Sequence, residues 1–600
     1  MATLMHEIRW PVGGCLKTMT RRLSSASVMR AFAVVAARST IVAAIFISTQ
    51  AFAQRVAPSQ VTPPSLRPEA APGVAVVLPG AAGLTAPANA AGLSLILSGV
   101  SVEGGFPELR GESDAIVGRL SGRRVTVADI YAAANALEQA YAAAGYVLVR
   151  IVVPPQRLAR GATLRLVLVD GFVEAVDVKG VPESQRELVM AHMSGIVGKR
   201  HVTFAELERR LLLVSDVPGL TLRSTLSRGA TPGGTLLVLE GTQNFVNGSA
   251  GVDNRLPNSL GIFELNSSAA LNSAFGYGEQ IYVSGSSGYN LGKAFDGASP
   301  LQVLGGGFVL PVGVDGFTLN PEYTNSITRP IPAAGAPASV GYFERFDLRA
   351  AYPVIRTRAQ TLTLQATYEW AEEHLTPTGF DTDFYRDRYH AIRMQADDRL
   401  QTSWGAATQA TATFSQGLGG RDEQTAAATG IGLSRQGAQP TFSKLNLDLR
   451  WTQPLPEASQ FTLIGRAQTG FGQPLFLAEQ FSLDGLDALS GYPSGTFNVD
   501  EGATLRGELA RPFALATPGV ETAVSPYLFG AGGRGILEDP TAIEQAAINA
   551  ASFGLGLRTG ASAMGAPFGG SFAVELARSF SNVPGERQNY RGDVAFAVKF

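Results

Sequence analysis

The sequence predicts a transmembrane antiparallel β-barrel of about 16 strands, preceded by two small α+β domains whose elements follow the order β-α-α-β-β. Two features predict this fold. From residue 245 to the C-terminus, apolar and polar residues alternate with the period of a β-strand, and helical periodicity is absent. After residue 53, no apolar run approaches the roughly 20 residues that a membrane-spanning helix needs. We therefore expect strands to carry the chain across a membrane.

The clearest strand of the C-terminal region is Thr361–Trp370, where leucine, alanine and aromatic residues alternate with threonine, glutamine and glutamate. Lys444–Trp451 repeats the pattern. A soluble sheet packed on a core also alternates, but the sequence of region 245–600 predicts no helix that would cover an apolar face. A closed barrel explains the pattern, because it has lipid outside, water inside and no unpaired backbone edge. At roughly 22 residues per strand and connection, the region holds about 16 strands.

Residues 1–53 have the organisation of a leader with a signal peptide. Arginines precede a short apolar core at 41–47, and the cleavage site Ala51-x-Ala53 stands before Gln54. A membrane anchor is the alternative, but the apolar core is too short and Pro-rich sequence follows at once. The leader is therefore predicted to be removed.

The leader is long enough for translation to begin at Met29 instead of Met1. It contains the only cysteine of the chain, Cys15, so the mature protein is predicted to have no disulfide. Residues 54–92 are rich in proline and alanine, which stiffen and extend a chain, so they are predicted to be a linker without a long amphipathic helix.

The chain offers no pattern that predicts catalysis, a cofactor or a metal. Its net charge of −2 gives no signal for nucleic acid. Gly530–Gly535 fits G-x-G-x-x-G, but it follows strand-rich sequence and lacks the βαβ context of a dinucleotide site. The pair Glu372-Glu373 is expected in a solvated loop. We therefore predict a protein that is not an enzyme, with no cofactor and no nucleic-acid partner.

Two small domains are predicted at 93–171 and 172–241. The elements predicted in the first are, in order, a strand at 95–102, a helix at 127–144 and strands at 146–153 and 163–169. Those predicted in the second are a strand at 172–178, helices at 182–193 and 203–214, and strands at 220–226 and 235–239. The similar order predicts an internal repeat, and a generic α+β domain is the alternative.

The last strand carries a sharper signal. Val594, Phe596, Val598 and Phe600 alternate with alanine and lysine. A final amphipathic strand that ends in phenylalanine resembles the recognition signal of bacterial outer-membrane barrels. The resemblance implies the outer membrane as the location, with outer-membrane lipid and the barrel assembly machinery as partners.

Two further segments resemble one family. The sequence VDNRLPNSLG at 252–261 contains Asp253, Asn254 and Arg255 at the start of the barrel, and YVLVRIVVPPQ at 146–156 lies in the first small domain. With the terminal strand, they resemble the two-partner secretion transporters, also called hemolysin secretion/activation proteins, over residues from about 54 to 600. The resemblance implies two periplasmic polypeptide-transport-associated (POTRA) domains and an outer-membrane barrel of about 16 strands.

The segment Phe481–Gly502 resembles the long inward-folded loop of that family. The tip of the family loop reads Val-Arg-Gly-Tyr/Phe, and here it reads Leu489-Ser490-Gly491-Tyr492. Ser490 therefore replaces the family arginine. An ordinary turn in an outer loop is the alternative interpretation of this segment.

The family arginine approaches an aspartate on a barrel strand, in the pattern Phe-x-Asp-x-Gly. The matching residues here are Phe529, Ala531 and Gly533, with Ala531 at the aspartate position. Both members of the ion pair are therefore absent together, which avoids a stranded charge in a confined lumen. An inserted loop without this salt bridge is the expectation that follows.

The resemblance implies that the protein captures a secreted partner polypeptide, a large β-helical exoprotein, through its POTRA domains and exports it through the barrel. The edge of a small sheet has free N–H and C=O groups to which an extended chain adds. The strand at Val147–Val153 or the strand at Leu220–Leu226 could serve. An insertase for other outer-membrane proteins and a passive porin-like channel are the alternative functions.

Overall fold

The structure of the protein, a computed structural model, describes residues 57–63, 76–77, 84–157, 159–288, 298–332, 337–542, 544–563 and 568–600. The predicted leader 1–53 and its cleavage site at Ala51, Ala53 and Gln54 lie outside these residues. The first described elements are a short helix, Pro58–Val61 (α1), and a two-residue strand, Val76–Val77 (β1). Among the described residues, no helix is long and apolar enough to cross a membrane.

The first small domain pairs two helices with one sheet. Its elements are β2 (Ser94–Glu103), α2 (Arg110–Gly118), β3 (Arg124–Thr126), α3 (Val127–Ala143), β4 (Arg150–Val152) and β5 (Ala162–Val169). The described strands form the sheet β3-β2-β5-β4. Helix α3 begins at a capping box in which Thr126 and Asp129 bond each other's backbone N–H groups. The inner face of this helix packs on the sheet through Ile130 and Leu137.

The predicted strand at 146–153 is wrong for its first half, because only Arg150–Val152 pairs with β5. Gly145 adopts a positive φ of 97°, and the Tyr146 N–H then bonds the Tyr141 carbonyl in a tight turn. The apolar residues of this stretch are buried as a turn against the core, so their hydrophobicity reports burial and not strand formation. The sequence did not predict helix α2, because charged and small residues alternate in its first turns and give no helical periodicity.

The second small domain contains β6 (Phe172–Gly180), α4 (Glu183–Met193), α5 (Phe204–Ser215), β7 (Leu220–Arg228) and β8 (Gly234–Gln243). Among the described strands, the sheet has the order β1-β7-β8-β6. Strand β1 comes from the linker and pairs with β7 in parallel. Helix α5 begins at the predicted N-cap, Thr203, whose Oγ1 accepts from the Glu206 N–H. Apart from β1, the elements agree with the sequence expectation to within a few residues.

The rest of the described chain is a closed antiparallel barrel in which neighbouring strands follow the chain order. The strands are β9 (Val246–Asp253), β10 (Glu264–Asn272), β11 (Gln280–Gly288), β12 (Leu301–Val312), β13 (Phe317–Thr328), β14 (Ser339–Arg356), β15 (Gln360–Pro377), β16 (Tyr385–Gln401), β17 (Ala407–Gly420), β18 (Ser443–Pro454), β19 (Gln460–Thr469), β20 (Phe481–Ser482), β21 (Asn498–Val499), β22 (Glu501–Ala510), β23 (Phe513–Thr517), β24 (Val520–Ile536), β25 (Ala547–Ala563), β26 (Gly569–Ser581) and β27 (Gln588–Lys599). Strands β20 and β21 of this list are not part of the barrel wall, because they pair only with each other in the connection after β19.

Strands β22 and β23 both pair with β24 and are one strand interrupted at Arg511 and Pro512. Counted so, sixteen strands close the barrel in the described part of the chain, as the sequence predicts. Proline lacks the N–H that a continuous ladder needs, which explains the break.

The two faces of the barrel wall follow the predicted alternation. In β15, Leu364 and Tyr368 are 48% and 40% exposed on the outside, whereas Thr367 and Glu369 point inward and are 6% exposed. Glu373 lies on the same strand and is only 1% exposed, so the expectation of a solvated loop for Glu372-Glu373 is wrong. The alternation predicts the strand, but the turn after it begins later than expected.

A second difference is a short helix after residue 245. Residues Glu423–Thr429 (α6) form it in the connection between β17 and β18. Asp422 caps it by accepting from the Thr425 N–H at 2.8 Å. Helix α6 ends at Gly430, whose φ of 69° suits a C-terminal glycine.

The second small domain contacts one end of the barrel, here called the domain-side end. The Arg356 guanidinium, at the end of β14, bonds both carboxylate oxygens of Asp216 at 2.6 and 2.8 Å. Arg358 bonds Glu208 of α5 at 2.6 Å. These paired contacts hold the domain against the turn between β14 and β15.

Helix α1 lies inside the barrel near the opposite, far end. Val61 packs in a buried cluster with Leu256, Leu260 and Leu301. A Cβ added to Gly341, on the inward face of β14, would lie 2.6 Å from Cγ of Pro58. The linker expectation did not place any part of 54–92 inside the barrel, because residues 57–63 carry no long amphipathic pattern.

Candidate translocation lumen and its inserted loop

The connection between β19 and β22, residues 470–500, turns into the lumen and is called the inserted loop here. Leu489, Ser490 and Tyr492 at its tip are 0–2% exposed. The tip contacts inward-facing side chains of β22, β24 and β26. The alternative of a turn on the outside of the barrel therefore does not fit this structure.

Ser490 meets a cation that belongs to the barrel wall. Nη1 of Arg506, on β22, donates to Oγ of Ser490 at 2.8 Å. The same guanidinium donates to Glu575 at 2.6 Å through Nη2 and to Glu508 at 2.8 Å through Nε. Arg506 is fully buried, and a buried charge needs a partner. Two carboxylates compensate its charge, while its Nη1 donates to the loop.

The predicted wall residues lie beside this contact. The guanidinium carbon of Arg506 is 3.8 Å from the ring centre of Phe529, a cation–π distance. Ala531 packs against the apolar cluster of the loop, and a Cβ on Gly533 would lie 3.4 Å from Cδ1 of Leu489. The two predicted segments therefore meet, but they do so through apolar contacts and a wall arginine.

Gly491 and Tyr492 fit the tip to β26 and its connection. An added Cβ on Gly491 would lie 1.5 Å from Oγ of Ser579, so only glycine fits without a shift. The Tyr492 hydroxyl donates to the Glu586 carbonyl at 3.2 Å, and its ring packs edge-on against Phe497 at 4.6 Å. The motif thus supplies close approach, a hydroxyl contact and an aromatic pair.

The root of the inserted loop is anchored on another part of the wall, at strands β16 and β18. Glu479 is 1% exposed and accepts from Arg393 at 2.6 Å. It also pairs with Lys444 at 2.7 Å and accepts from the Tyr389 hydroxyl at 2.5 Å. The loop therefore contacts two buried charge networks on different strands of the wall.

Asp484 shapes the loop from within. Its carboxylate accepts from the N–H groups of Gly495 and Phe497 at 3.1 and 2.8 Å and from the Ser482 hydroxyl at 2.9 Å. Sequence reasoning missed Asp484, Glu479 and Arg506. For Arg506 the signal was present, because the strand around it alternates buried charges with exposed leucines.

The other predicted residues lie at the closure of the barrel. Asp253 ends β9, and Asn254 and Arg255 follow it at the far end. Among the four alternating residues of β27 and the C-terminus, Val594, Phe596 and Phe600 are 37–49% exposed on the outside. The role of these residues in assembly stays a prediction.

A vestibule of about 840 Å³ opens between the second small domain and the barrel. Its lining includes Arg349, Arg356, Arg358 and Arg399 together with several glutamines and threonines. Among the described residues, no group of histidine, cysteine, aspartate and glutamate could hold a metal ion. Charged and polar side chains therefore line this vestibule together with apolar ones.

Comparison with known proteins identifies the same architecture. A family model for the haemolysin secretion/activation proteins ShlB/FhaC/HecB matches residues 233–559, and the ShlB-type POTRA domain model matches residues 95–171. The heme/hemopexin transporter protein HuxB of Haemophilus influenzae (strain 86-028NP) is 22% identical over 425 residues, which cover 68% of this chain and 71% of HuxB.

Solved structures agree in fold. CdiB from Escherichia coli superposes with a TM-score of 0.65 at 18% identity, covering 91% of this chain and 94% of CdiB. CdiB from Acinetobacter baumannii gives a TM-score of 0.57 at 15% identity, covering 85% and 90% of the two chains. Because the family model matches more than half of the chain, this protein belongs to the haemolysin secretion/activation family ShlB/FhaC/HecB, the outer-membrane transporters of two-partner secretion.

Proposed function

We propose that the second POTRA domain captures the secreted partner at the outer edge of β7 and that the barrel exports it past the inserted loop. One observation carries the choice of edge: β7 already accepts an added strand. Val76 and Val77 of the linker pair in parallel with Ser224 and Thr225. An edge that binds one extended segment through its backbone is suited to bind another.

The linker uses only a small part of this edge. Strand β7 runs over Leu220–Arg228 and pairs with β8 along its whole length, whereas β1 covers two residues of it. A longer client strand would form more main-chain hydrogen bonds than β1 and would displace it. In the first domain the corresponding strand, Arg150–Val152, is only three residues long and offers less edge. These lengths favour Leu220–Leu226 over Val147–Val153.

Main-chain pairing also suits the expected client. Hydrogen bonds to backbone groups tolerate many side chains, so a long repetitive chain can bind segment by segment. The polar lumen should also accept many client side chains, because its buried charges are mostly paired with each other in salt bridges. A large exoprotein that folds into a β-helix outside the cell fits both properties and would make export directional.

The outer face of β27 is suited to contact two further partners. Val594, Val598 and the two phenylalanines Phe596 and Phe600 present an apolar outward strip at the C-terminus. We propose that it contacts outer-membrane lipid and is read by the barrel assembly machinery. Truncation of Phe600 should lower the amount of folded barrel without changing export per barrel.

A disulfide between β1 and β7 tests the capture site. The double variant Val77→Cys/Thr225→Cys should hold the linker on the edge and reduce secretion of a candidate partner exoprotein that is expressed with this protein. A reducing agent should restore secretion, and the single variant Val77→Cys is the control. Secretion that is equal in the oxidised double variant and the control would exclude β7 as the capture edge.

The insertase alternative makes a different prediction. Loss of an insertase would lower many outer-membrane proteins, whereas loss of a secretion transporter should lower one secreted protein. Quantifying both in cells with and without this gene separates the two functions.

A further inference from the structure

The barrel closes through a short ladder between its first and last strands. Strand β9 pairs with β27 over Ser249–Asp253 and Ala595–Lys599, next to the hydrogen-bonded pair of Gly248 and Phe600. On its other side, β27 pairs with β26 as far as Gln588. Strand β27 therefore continues beyond the end of β9, and the backbone groups on its β9 side from Gln588 to Val594 pair with no strand in the described part of the chain.

The side chain of Asn254 occupies this place. Its Oδ1 accepts from the Val594 N–H at 2.8 Å, and its Nδ2 donates to the Gly592 carbonyl at 2.8 Å. A side-chain amide carries a carbonyl acceptor and an NH2 donor, the same kinds of hydrogen-bonding group that a peptide unit offers. Asn254 thus forms hydrogen bonds with two backbone groups of β27 that the ladder with β9 leaves unpaired.

Charged neighbours support this contact. The Arg591 guanidinium donates to the Asn254 carbonyl and, through Nε, to Asp593 at 2.6 Å. On the β9 side, Arg255 pairs with Asp253 at 2.9 Å. The backbone on both sides of Asn254 is therefore held while its amide reaches across the seam.

We propose that Asn254 is a positioning residue that keeps the barrel seam closed at its far end by replacing strand pairing with side-chain pairing. An open edge in a membrane barrel leaves polar backbone groups unpaired, which is costly. Asparagine is required because aspartate lacks the donor and alanine lacks both groups. This role concerns closure of the barrel and does not depend on the proposed client capture.

Amide hydrogen exchange in the purified full-length protein tests the two bonds separately. In Asn254→Ala, exchange at the Val594 amide should rise about ten-fold, and the temperature at which the folded barrel unfolds on an electrophoresis gel should fall. In Asn254→Asp, the Val594 amide should stay protected because an acceptor remains, while heat stability should fall as in the alanine variant. The control Asn589→Ala lies on β27 and removes a side chain that makes no hydrogen bond among the described residues.

A cross-link across the seam provides the second measurement. Ser249 and Lys599 are register partners beside the hydrogen-bonded pair of Gly248 and Phe600, so they are a non-hydrogen-bonded pair with close Cβ atoms. The pair Ser249→Cys/Lys599→Cys should restore heat stability to Asn254→Ala when oxidised. Unchanged Val594 exchange in the alanine variant, wild-type heat stability in the aspartate variant or no rescue by the cross-link would each overturn the proposal.

Discussion

Oγ of Ser490, at the tip of the inserted loop, accepts a hydrogen bond at 2.8 Å from Nη1 of Arg506 on the barrel wall. The loop arginine expected from the family resemblance is absent, and the cation that holds the tip stands on β22 instead. Because the wall carboxylates Glu508 and Glu575 already compensate this cation, the loop contributes only a neutral hydroxyl. The tip can therefore leave without stranding a charge in the lumen.

Replacing Ser490 with alanine should loosen the tip without unfolding the barrel. The change removes one hydrogen bond to a charged donor, worth about 1.5–3 kcal/mol. We expect faster proteolysis of the loop and larger ion conductance in planar bilayers. Ser494→Ala is the matched control in the same loop, and equal protection of the two variants would contradict the contact.

Arg506→Ala should be far more damaging than Ser490→Ala. It leaves Glu575 buried without its cation, a loss of about 3–5 kcal/mol in typical buried pairs. The double variant Arg506→Ala/Glu575→Gln should recover part of the loss, because the stranded charge is removed. Heat stability of the folded barrel measures both, and a double variant no better than the single one would refute this explanation.

Gly491→Ala should displace the tip, because its Cβ would lie 1.5 Å from Oγ of Ser579. Ser579→Gly in the same chain should restore protease protection of the loop by removing the obstructing atoms. Gly530→Ala is the control, since a Cβ there meets nothing within 4 Å. An alanine at 491 that leaves the loop fully protected would show that the tip is placed differently.

Asp216→Ala should release the second POTRA domain from the barrel. Arg356 then loses both hydrogen bonds to the Asp216 carboxylate. A hydrogen bond to a charged group typically contributes about 1.5–3 kcal/mol to stability. We expect increased proteolysis between the domain and the barrel and reduced secretion. Asp177→Ala is the control, because its partner Lys179 is 92% exposed and 3.9 Å away; equal effects of the two variants would exclude the role of the contact.

His192 should make the contact between the second POTRA domain and the barrel sensitive to acid. Burial lowers the pKa of His192, and the nearby Arg210 lowers it further, whereas Asp315 and Asp216 oppose the shift. A lowered folded-state pKa means that the neutral form is favoured, so stability is complete above roughly pH 6.5 and is lost as the pH falls through the folded-state value. The protection factors of the α4 amides, corrected for the intrinsic exchange rate at each pH, should therefore fall from pH 7 to pH 5, and His192→Gln should remove this fall. A pH response that persists in the variant would assign it to another group.

The sequence by itself determined the class of the fold. Alternation in strands such as Thr361–Trp370 reports which residues face lipid and which face water, because side chains on a strand point to opposite sides. The order of helices and strands in 93–241 likewise predicted two small α+β domains. The start of the turn after Thr376 and the length of the strand near Arg150 escaped this reasoning, because burial and strand formation select similar residues.

Tertiary structure alone decided which distant residues meet. Arg506 and Ser490 contact each other because the loop turns back into the lumen, and Asn254 reaches Val594 because barrel closure joins the first strand to the last. Neither contact leaves a local pattern, since a periodicity reports the face of a strand but not the residue across the lumen or the seam. The contact of the wall arginine with the loop, the contact of the seam asparagine with β27 and the pairing of the linker strand with β7 therefore became visible only in the tertiary structure.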